Sequence, residues 1–460
     1  MAIAGNTLRI ITVEKLGEAF NQTTIPLSYT PRRIVVHPET KHVLCIESDH
    51  NAFNASEKAE LEQMYAAAAA AEDGGGETKA ADMEVSAAAG GDDEEEDEEE
   101  DVVTEMQTGA PRPPQSGKWA SCLRIIDPIS EDTLDVAEIE DNEAAMSMAT
   151  CVFHDRGGEV FVVVGTAQGL TLHPRTVTGS YLRVYRLLDG GRKLQMLHKT
   201  PLMGDVPMAL AEFQGKILVG LGNTLRLYDM GKRKLLRKCE LKGLPTMVTQ
   251  IHVSGDRIVV GDMAEGFIYI KYHRLENSLT MFADEVHPRF LSAGCMLDHD
   301  TMCGGDKFGN IYVTRLQDGV SDDVIDNPTG NQLLWERGAN SGAPNKLSCQ
   351  VVFHVGEVPT VMRKTTLVNG GMEVILYGTI MGSIGALMPF SSREDVDFFS
   401  HLEMYMRQEA PPLSGREHVS TACVKRRLWL LLLWEWCAME EMRQGRRVFF
   451  VWCVFTGYRR

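Results

Sequence analysis

The sequence predicts an all-β fold, a β-propeller of four-stranded antiparallel blades, and three observations carry that expectation. First, short β-branched runs such as "LRIITV", "RRIVVHPET", "KHVLCIES", "FVVVGTAQG", "GKILVGLGNTLRLYDM" and "DRIVVGDMAEGFIYIKY" are bounded by Gly, Asp or Asn, the pattern of strands joined by tight turns. Second, a strand that ends on a glycine turn and leads into another strand recurs at Gly165, Gly220, Gly261, Gly305 and Gly378. The spacings are 55, 41, 44 and 73 residues, against a blade period of roughly 40 to 50. Third, long amphipathic helices are almost absent before residue 393, and strands do not alternate with helices, which disfavours a parallel α/β sheet. An array of β-sandwiches is the alternative, but it gives no reason for one turn pattern to recur at blade length.

The elements follow in order. Residues 1–49 supply the first strands. Residues 50–118 break the pattern with "AAAAAA", "DGGG", the run "DDEEEDEEED" and "APRPPQSG". Such a segment is too charged and too poor in bulky apolar residues to bury a core, so a disordered acidic insertion between two strands of one blade is expected. The bland reading of the run is solvated charge, and the sharper one is a docking tail for a basic partner. Residues 119–392 carry the recurring strands. The two long intervals imply insertions, one of them "QDGVSDDVIDNPTGNQ". Residues 393–418 read as a short helix, near 393–409, and a connection.

Residues 419–460 have a different composition. They hold four of the six tryptophans and three of the ten cysteines, with no Asp, Asn, Pro or Ile. "LWLLLLW" is seven apolar residues and "VFFVWCVF" eight, against the roughly 20 that span a bilayer. The favoured reading is translation through an unspliced intron or a shifted frame. An interfacial amphipathic anchor and a lineage-specific helix are the alternatives.

Composition excludes several function classes. The formal net charge is −18, and Asp92 to Asp101 supply ten of the negative charges, leaving −8 for the rest. No broad basic field draws nucleic-acid phosphates nonspecifically. The ten cysteines are scattered with no CxxC pair, which fits thiols of a reducing compartment and argues against a zinc site. The N-terminal stretch has no apolar core of a secretory signal. "DGGGETKA" lacks phosphate-loop spacing, and "GTAQG" and "GTIMGSIG" read as β-turns. Neither a GxSxG elbow nor HExxH occurs. His37, His42 and His50 lack a matching ligand set. No catalytic, cofactor or metal site is therefore expected, and neither is a membrane role or a small-molecule substrate. By elimination the chain reads as a binding scaffold.

Longer strings add a resemblance. "VEKLGEAFNQTTIPLSYTPRRIVVHPET", "IEDNEAAMSMATCVF", "YDMGKRKLLRKCE", "GGDKFGNIYVTRL", "DNPTGNQLLWERG" and "SSREDVDFFSHLEMYMRQEAPPLSGREH" together resemble the family of the large β-propeller subunit of splicing factor 3b. That family shares a superfamily with the large subunit of damaged-DNA-binding protein and the largest, CPSF A, subunit of cleavage and polyadenylation specificity factor. The resemblance covers residues 7–50 and 117–418. It implies most of the third of three propellers, and so an incomplete propeller. It further implies a nuclear, non-enzymatic scaffold in the particle that recognises the intron branch site. The implied partners are a HEAT-repeat subunit, a small companion subunit and the branch-site ribonucleoprotein, with nucleic-acid contact direct or indirect. The competing reading is an adaptor of a DNA-repair or ubiquitin-ligase complex, like the damaged-DNA-binding cousin.

Propellers bind on the loops at their blade faces, because strands within a blade are already paired. Three polar loops are candidates: "LHPRTVTG" with His173, Pro174 and Arg175, "VHPRF" with Pro288 and Arg289, and "GGDKFGN" with Asp306, Lys307 and Phe308. Each sets a cation beside an apolar or rigid residue, the combination that anchors interfaces. The bland reading is also open: Gly-Asp-x-x-Gly is a tight turn, with Phe308 in the core.

Overall fold

The computed structural model describes residues 24–60, 63–64, 117–154, 156–326, 342–367, 370–389 and 392–409, and the backbone of 2–4, 7–9 and 450–455. Six four-stranded antiparallel meanders follow one another along the chain among the described residues, the fourth of them extended by a short fifth strand that pairs parallel. Blade 1 runs Pro31–Val36, Val43–His50, Trp119–Ile126 and Thr133–Ile139. Blade 2 runs Glu143–Val152, Val160–Gln168, Gly179–Leu188 and Lys193–Leu202. Blade 3 runs Pro207–Phe213, Lys216–Leu221, Thr224–Met230 and Leu235–Leu241. Blade 4 runs Val248–Ser254, Arg257–Asp262, Gly266–His273 and Ser278–Asp284. Blade 5 runs Leu291–Met296, Thr301–Asp306, Asn310–Arg315 and Ser348–His354. Blade 6 runs Pro359–Thr366, Glu373–Thr379, Ile384–Pro389 and Phe450–Phe455.

The first strand of each blade packs beside the first strand of the next, from blade 1 through blade 6. Blades 6 and 1 share no such packed pair among the described residues, so the architecture is an incomplete propeller. The acidic segment is an insertion in a hairpin, because Val43–His50 pairs directly with Trp119–Ile126. The expected disorder of 50–118 falls mostly outside the described residues, as does most of the tail. The tail's Phe450–Phe455 forms the outermost strand of blade 6, pairing Ile384 with Phe455 and Pro389 with Phe450.

The recurring glycines explain how blades join. In every blade the first strand carries a β-bulge near its start, directly before the position that faces the glycine or its equivalent: the register shifts at Pro31/Arg33, Ala145/Ser147, Pro207/Ala209, Val248/Gln250, Leu291/Ala293 and Pro359/Val361. A bulge increases twist locally and re-aims the strand. Gly165, Gly220, Gly261 and Gly305 then receive the opening residue of the following blade. A Cβ on Gly165 would come within 3.1 Å of Pro207, one on Gly220 within 2.8 Å of Val248 Cβ, one on Gly261 within 2.5 Å of Leu291 Cδ2, and one on Gly305 within 2.8 Å of Pro359 Cβ. Blade 1 inverts the arrangement. Ile46 stands where the others have glycine, and the residue before the bulge of blade 2 is the small Ala145, both fully buried in one cluster. Gly378 in blade 6 has only its own partner Val361 nearby, at 3.1 Å, and Val361 is exposed.

Apolar clusters fill each of the five seams between consecutive blades. Side chains at the bulges add hydrogen bonds across the seams: Ser147 Oγ donates to Pro207 O at 2.6 Å, Gln250 Nε2 to Ser292 O at 3.1 Å and Ser292 Oγ to Pro359 O at 2.6 Å. The long interval before Gly378 holds a seven-residue helix, α1 (Val320–Asp326), within the connection between the third and fourth strands of blade 5. The end of that connection returns along blade 4, where Asn345–Lys346 pairs parallel to Ser278–Asp284 and Lys346 Nζ meets Asp284 at 2.5 Å. The helix expected near 393–409 is α2 (Arg393–Glu409). Ser392 Oγ caps it by accepting from Asp395 N at 3.1 Å, with acids in its first turn and Arg407 in its last, both favourable to the helix dipole. No helix among the described residues is long and apolar enough to cross a membrane.

We expect Gly305→Ala to destabilise the chain by about 1–3 kcal/mol through overpacking against the rigid Pro359 ring. Gly378→Ala, with no following blade to meet among the described residues, should stay within about 1 kcal/mol of the parent. Urea unfolding of the two variants checks this, and equal losses would contradict it.

Candidate partner-binding face

In a four-stranded meander the connections between strands 2 and 3, and from strand 4 to the next blade, emerge at the same end. The loops with His173, Pro174 and Arg175, with Pro288 and Arg289, and with Asp306, Lys307 and Phe308 therefore share one face. Hydrogen bonds string these loops together. Met263 N donates to Met247 O at 2.8 Å, Arg289 N and Phe290 N both donate to Ala264 O at 2.8 and 2.9 Å, and Lys307 N donates to Phe290 O at 3.1 Å.

On blade 2 the loop folds into a miniature hairpin, Thr171–Leu172 against Arg175–Thr176, around a cis His173–Pro174 bond. His173 and Pro174 are exposed. Arg175 is not a free cation: its guanidinium pairs with Asp205 and reaches Met247 Sδ at 2.6 Å, tying the hairpin to the two neighbouring connections.

Arg289 is likewise engaged within the fold. Its Nε meets Glu285 Oε2 at 2.9 Å and its guanidinium lies 4.4 Å from the Tyr312 ring centre. Glu285 is buried and also accepts from Phe267 N at 3.1 Å. Burial pushes its carboxyl up to about 7 even with Arg289 beside it. Pro288 is exposed beside them.

Asp306 makes the tight turn. Its Oδ1 accepts from Phe308 N at 2.8 Å and Asn310 N at 3.0 Å, and its Oδ2 from Asn310 Nδ2 at 2.7 Å. With the backbone so fixed, Phe308 points outward, 59% exposed. Phe290, held at a positive φ of 51°, stands against it edge-to-face at 5.7 Å. Lys307 Nζ lies 3.7 Å from the Phe290 centre and 5.2 Å from that of Phe308. The loop is thus a tight turn, but the expectation that Phe308 would lie in the core is corrected: its ring is exposed.

Sequence reasoning does not single out Phe290 as a site residue, nor the apolar residues around it. Of the large hydrophobic side chains exposed in the described connections, the long insertion of blade 1 apart, Leu172, Met203, Met263, Val286, Phe290, Phe308, Ile380 and Met381 lie on this face. Only Ile129, Leu275, Leu367 and Met372 lie on the opposite one. The missed signal was apolar residues inside turn sequences, as in "GDMAEG" and "GTIMGS". Among the described residues no group of three or more His, Cys, Asp or Glu side chains is placed to hold a metal ion.

For stability against pH, a carboxyl raised to about 7 from an ordinary 4.5 keeps its proton in the folded state where the unfolded chain has lost it. Its contribution is full below about 4.5 and falls away as pH rises to about 7. We expect Glu285→Gln to remove that trend, so the stability of the parent relative to the variant declines between pH 5 and 8, by at most about 3 kcal/mol. A difference that stays constant over that range in denaturant titrations would contradict the assignment.

Comparison with known proteins places the chain. Residues 120–425 match the family model described as the CPSF A subunit region. The chain is 48% identical over 420 residues to splicing factor 3B subunit 3 of Danio rerio, covering 91% of this chain and 34% of the relative. It is 47% identical to spliceosome-associated protein 130 A of Arabidopsis thaliana, with 91% and 34% covered, and 41% identical to pre-mRNA-splicing factor RSE1 of Mycosarcoma maydis, with 91% and 32% covered. The chain thus spans about a third of the length of these relatives. From the family match and these identities, the chain belongs to the CPSF A subunit family, in the group of splicing factor 3B subunit 3.

Proposed function

We propose that the chain acts in the nucleus, in pre-mRNA splicing, as a non-enzymatic scaffold that docks protein partners on the face bearing Phe290 and Phe308. The relatives carry splicing names, which favours this reading over a ligase or repair adaptor. The observation that carries the docking role is the rigidly mounted aromatic pair with Lys307 between its rings, surrounded by exposed Met, Ile and Val side chains. Aromatic anchors that lose no backbone freedom on binding are what interface hot spots are built from. The partners we assign are the HEAT-repeat subunit and the small companion subunit of a splicing factor 3b-type complex, within the branch-site ribonucleoprotein. His173, Pro174 and Pro288 add exposed, stiff contact area. Arg175, Arg289 and Asp306 hold the loops in shape.

Co-precipitation of the chain with the HEAT-repeat subunit tests this. Phe308→Ala and Lys307→Glu should each weaken capture by about thirtyfold, as for loss of a hot spot worth about 2 kcal/mol, while thermal melts stay unchanged. Folded variants that bind like the parent would overturn the docking face. Capture of cullin-type ligase components instead of splicing subunits would overturn the splicing reading.

A further inference from the structure

A second surface, on the side of the molecule away from the aromatic pair, has the opposite chemistry. The third and fourth strands of blade 3, Thr224–Met230 and Leu235–Leu241, are joined by a tight turn in which Gly231 N donates to Lys234 O at 3.0 Å. From Gly231 to Lys242 the sequence has six cations and one acid, in a chain of net charge −18. The two acids on these strands are already neutralised. Glu240 is met by Arg226 at 3.1 Å, Arg237 at 2.7 Å and Lys242 at 2.9 Å, and Asp229 by Lys238 at 3.3 Å. Lys232, Arg233 and Lys234 are exposed and make no ion pair with another described residue. Arg156, reaching over from blade 2, donates through NH2 to Gly231 O at 2.9 Å and brings a further cation to the turn. The hairpin is also the open edge of its sheet, since Leu235–Leu241 pairs only with Thr224–Met230 among the described residues.

We propose that this hairpin binds the phosphate backbone of single-stranded RNA without reading its bases. Two features favour RNA over an acidic protein. Protein interfaces are depleted in Lys and enriched in aromatic anchors. Here the unpaired groups are Lys and Arg, and Leu236 is the hairpin's one exposed large apolar side chain. No exposed aromatic ring is present on the hairpin for base stacking, so the contacts are those that position a backbone and carry no sequence information. Three uncompensated cations on one turn concentrate positive potential locally, which the chain's overall negative charge conceals.

The test is fluorescence anisotropy of a labelled oligouridine with the full chain between 50 and 200 mM KCl. Each phosphate contact to a single strand steepens the dependence of log affinity on log salt by about 0.7. The variant Lys232→Gln/Arg233→Gln/Lys234→Gln should therefore lose about 2 from the slope and bind at least about tenfold more weakly at low salt. If a melt shows the triple variant unfolded, the three single variants are read instead, each expected to lose about 0.7. Parent and variants with the same slope overturn the proposal. So does a polyglutamate peptide that binds the parent more tightly than oligouridine and loses that binding in the variants, which would give the hairpin to an acidic protein.

Discussion

The contact that the rest of this structure depends on is small: the absence of a side chain on one residue of the second strand in blades 2 to 5, filled by the first residue of the next blade. At Gly261 the Leu291 side chain occupies the space a Cβ would need, and at Gly305 the Pro359 ring does the same. Blades meet at the angle this approach permits. The bulge before each glycine-facing position turns the strand so that its opening residue reaches the neighbouring blade. Where the residue sizes are reversed, as with Ile46 and Ala145, both side chains are still fully buried in one cluster, as close packing of an interior demands. The surrounding apolar clusters supply most of the burial energy, but they become continuous from blade to blade only once the strands are this close.

That geometry also fixes the two surfaces. Strands inside a blade are paired and covered, so only turns and connections vary freely. The seam brings the connection after blade 4 against the turn of blade 5, which sets Phe290 beside Phe308 and Lys307 over both rings. Asp306 and the buried Glu285–Arg289 pair hold those backbones while remaining hidden. On the other side, the turn of blade 3 projects cations away from the ring, with Arg156 of the preceding blade as its tether. Apolar and basic chemistries are thus kept apart.

Much of the fold was legible in the sequence, for a reason the seams now explain. Gly165, Gly220, Gly261, Gly305 and Gly378 recur because four of them receive a neighbour. Blade 1 escaped the period because Ile46 replaced the glycine and Ala145 made room. The spacing before Gly378 was long because α1 and its flanking chain lie within blade 5, and that insertion was readable from its Gly, Asp and Asn content. The candidate site was legible only in part. The loops were found, since turn residues announce them. Their division of labour was not, because whether Arg175 or Arg289 faces a partner or an internal carboxylate depends on Asp205 and Glu285. Asp205 is 30 residues away from Arg175 and meets it only across a blade boundary. Phe290 was overlooked because an exposed and a buried phenylalanine look alike in sequence.

The glycine seam is tested most directly by a double-mutant cycle between Gly261→Ala and Leu291→Ala, followed by urea unfolding. A Cβ at position 261 meets Leu291 Cδ2 at 2.5 Å, and the next nearest atom is Gln250 Cβ at 3.2 Å. The account predicts that Gly261→Ala is destabilising while Leu291 is intact and much less so in the Leu291→Ala background, with a coupling of about 1 kcal/mol or more. If the two losses simply add, the close approach of the blades does not depend on that missing side chain, and the central claim is wrong.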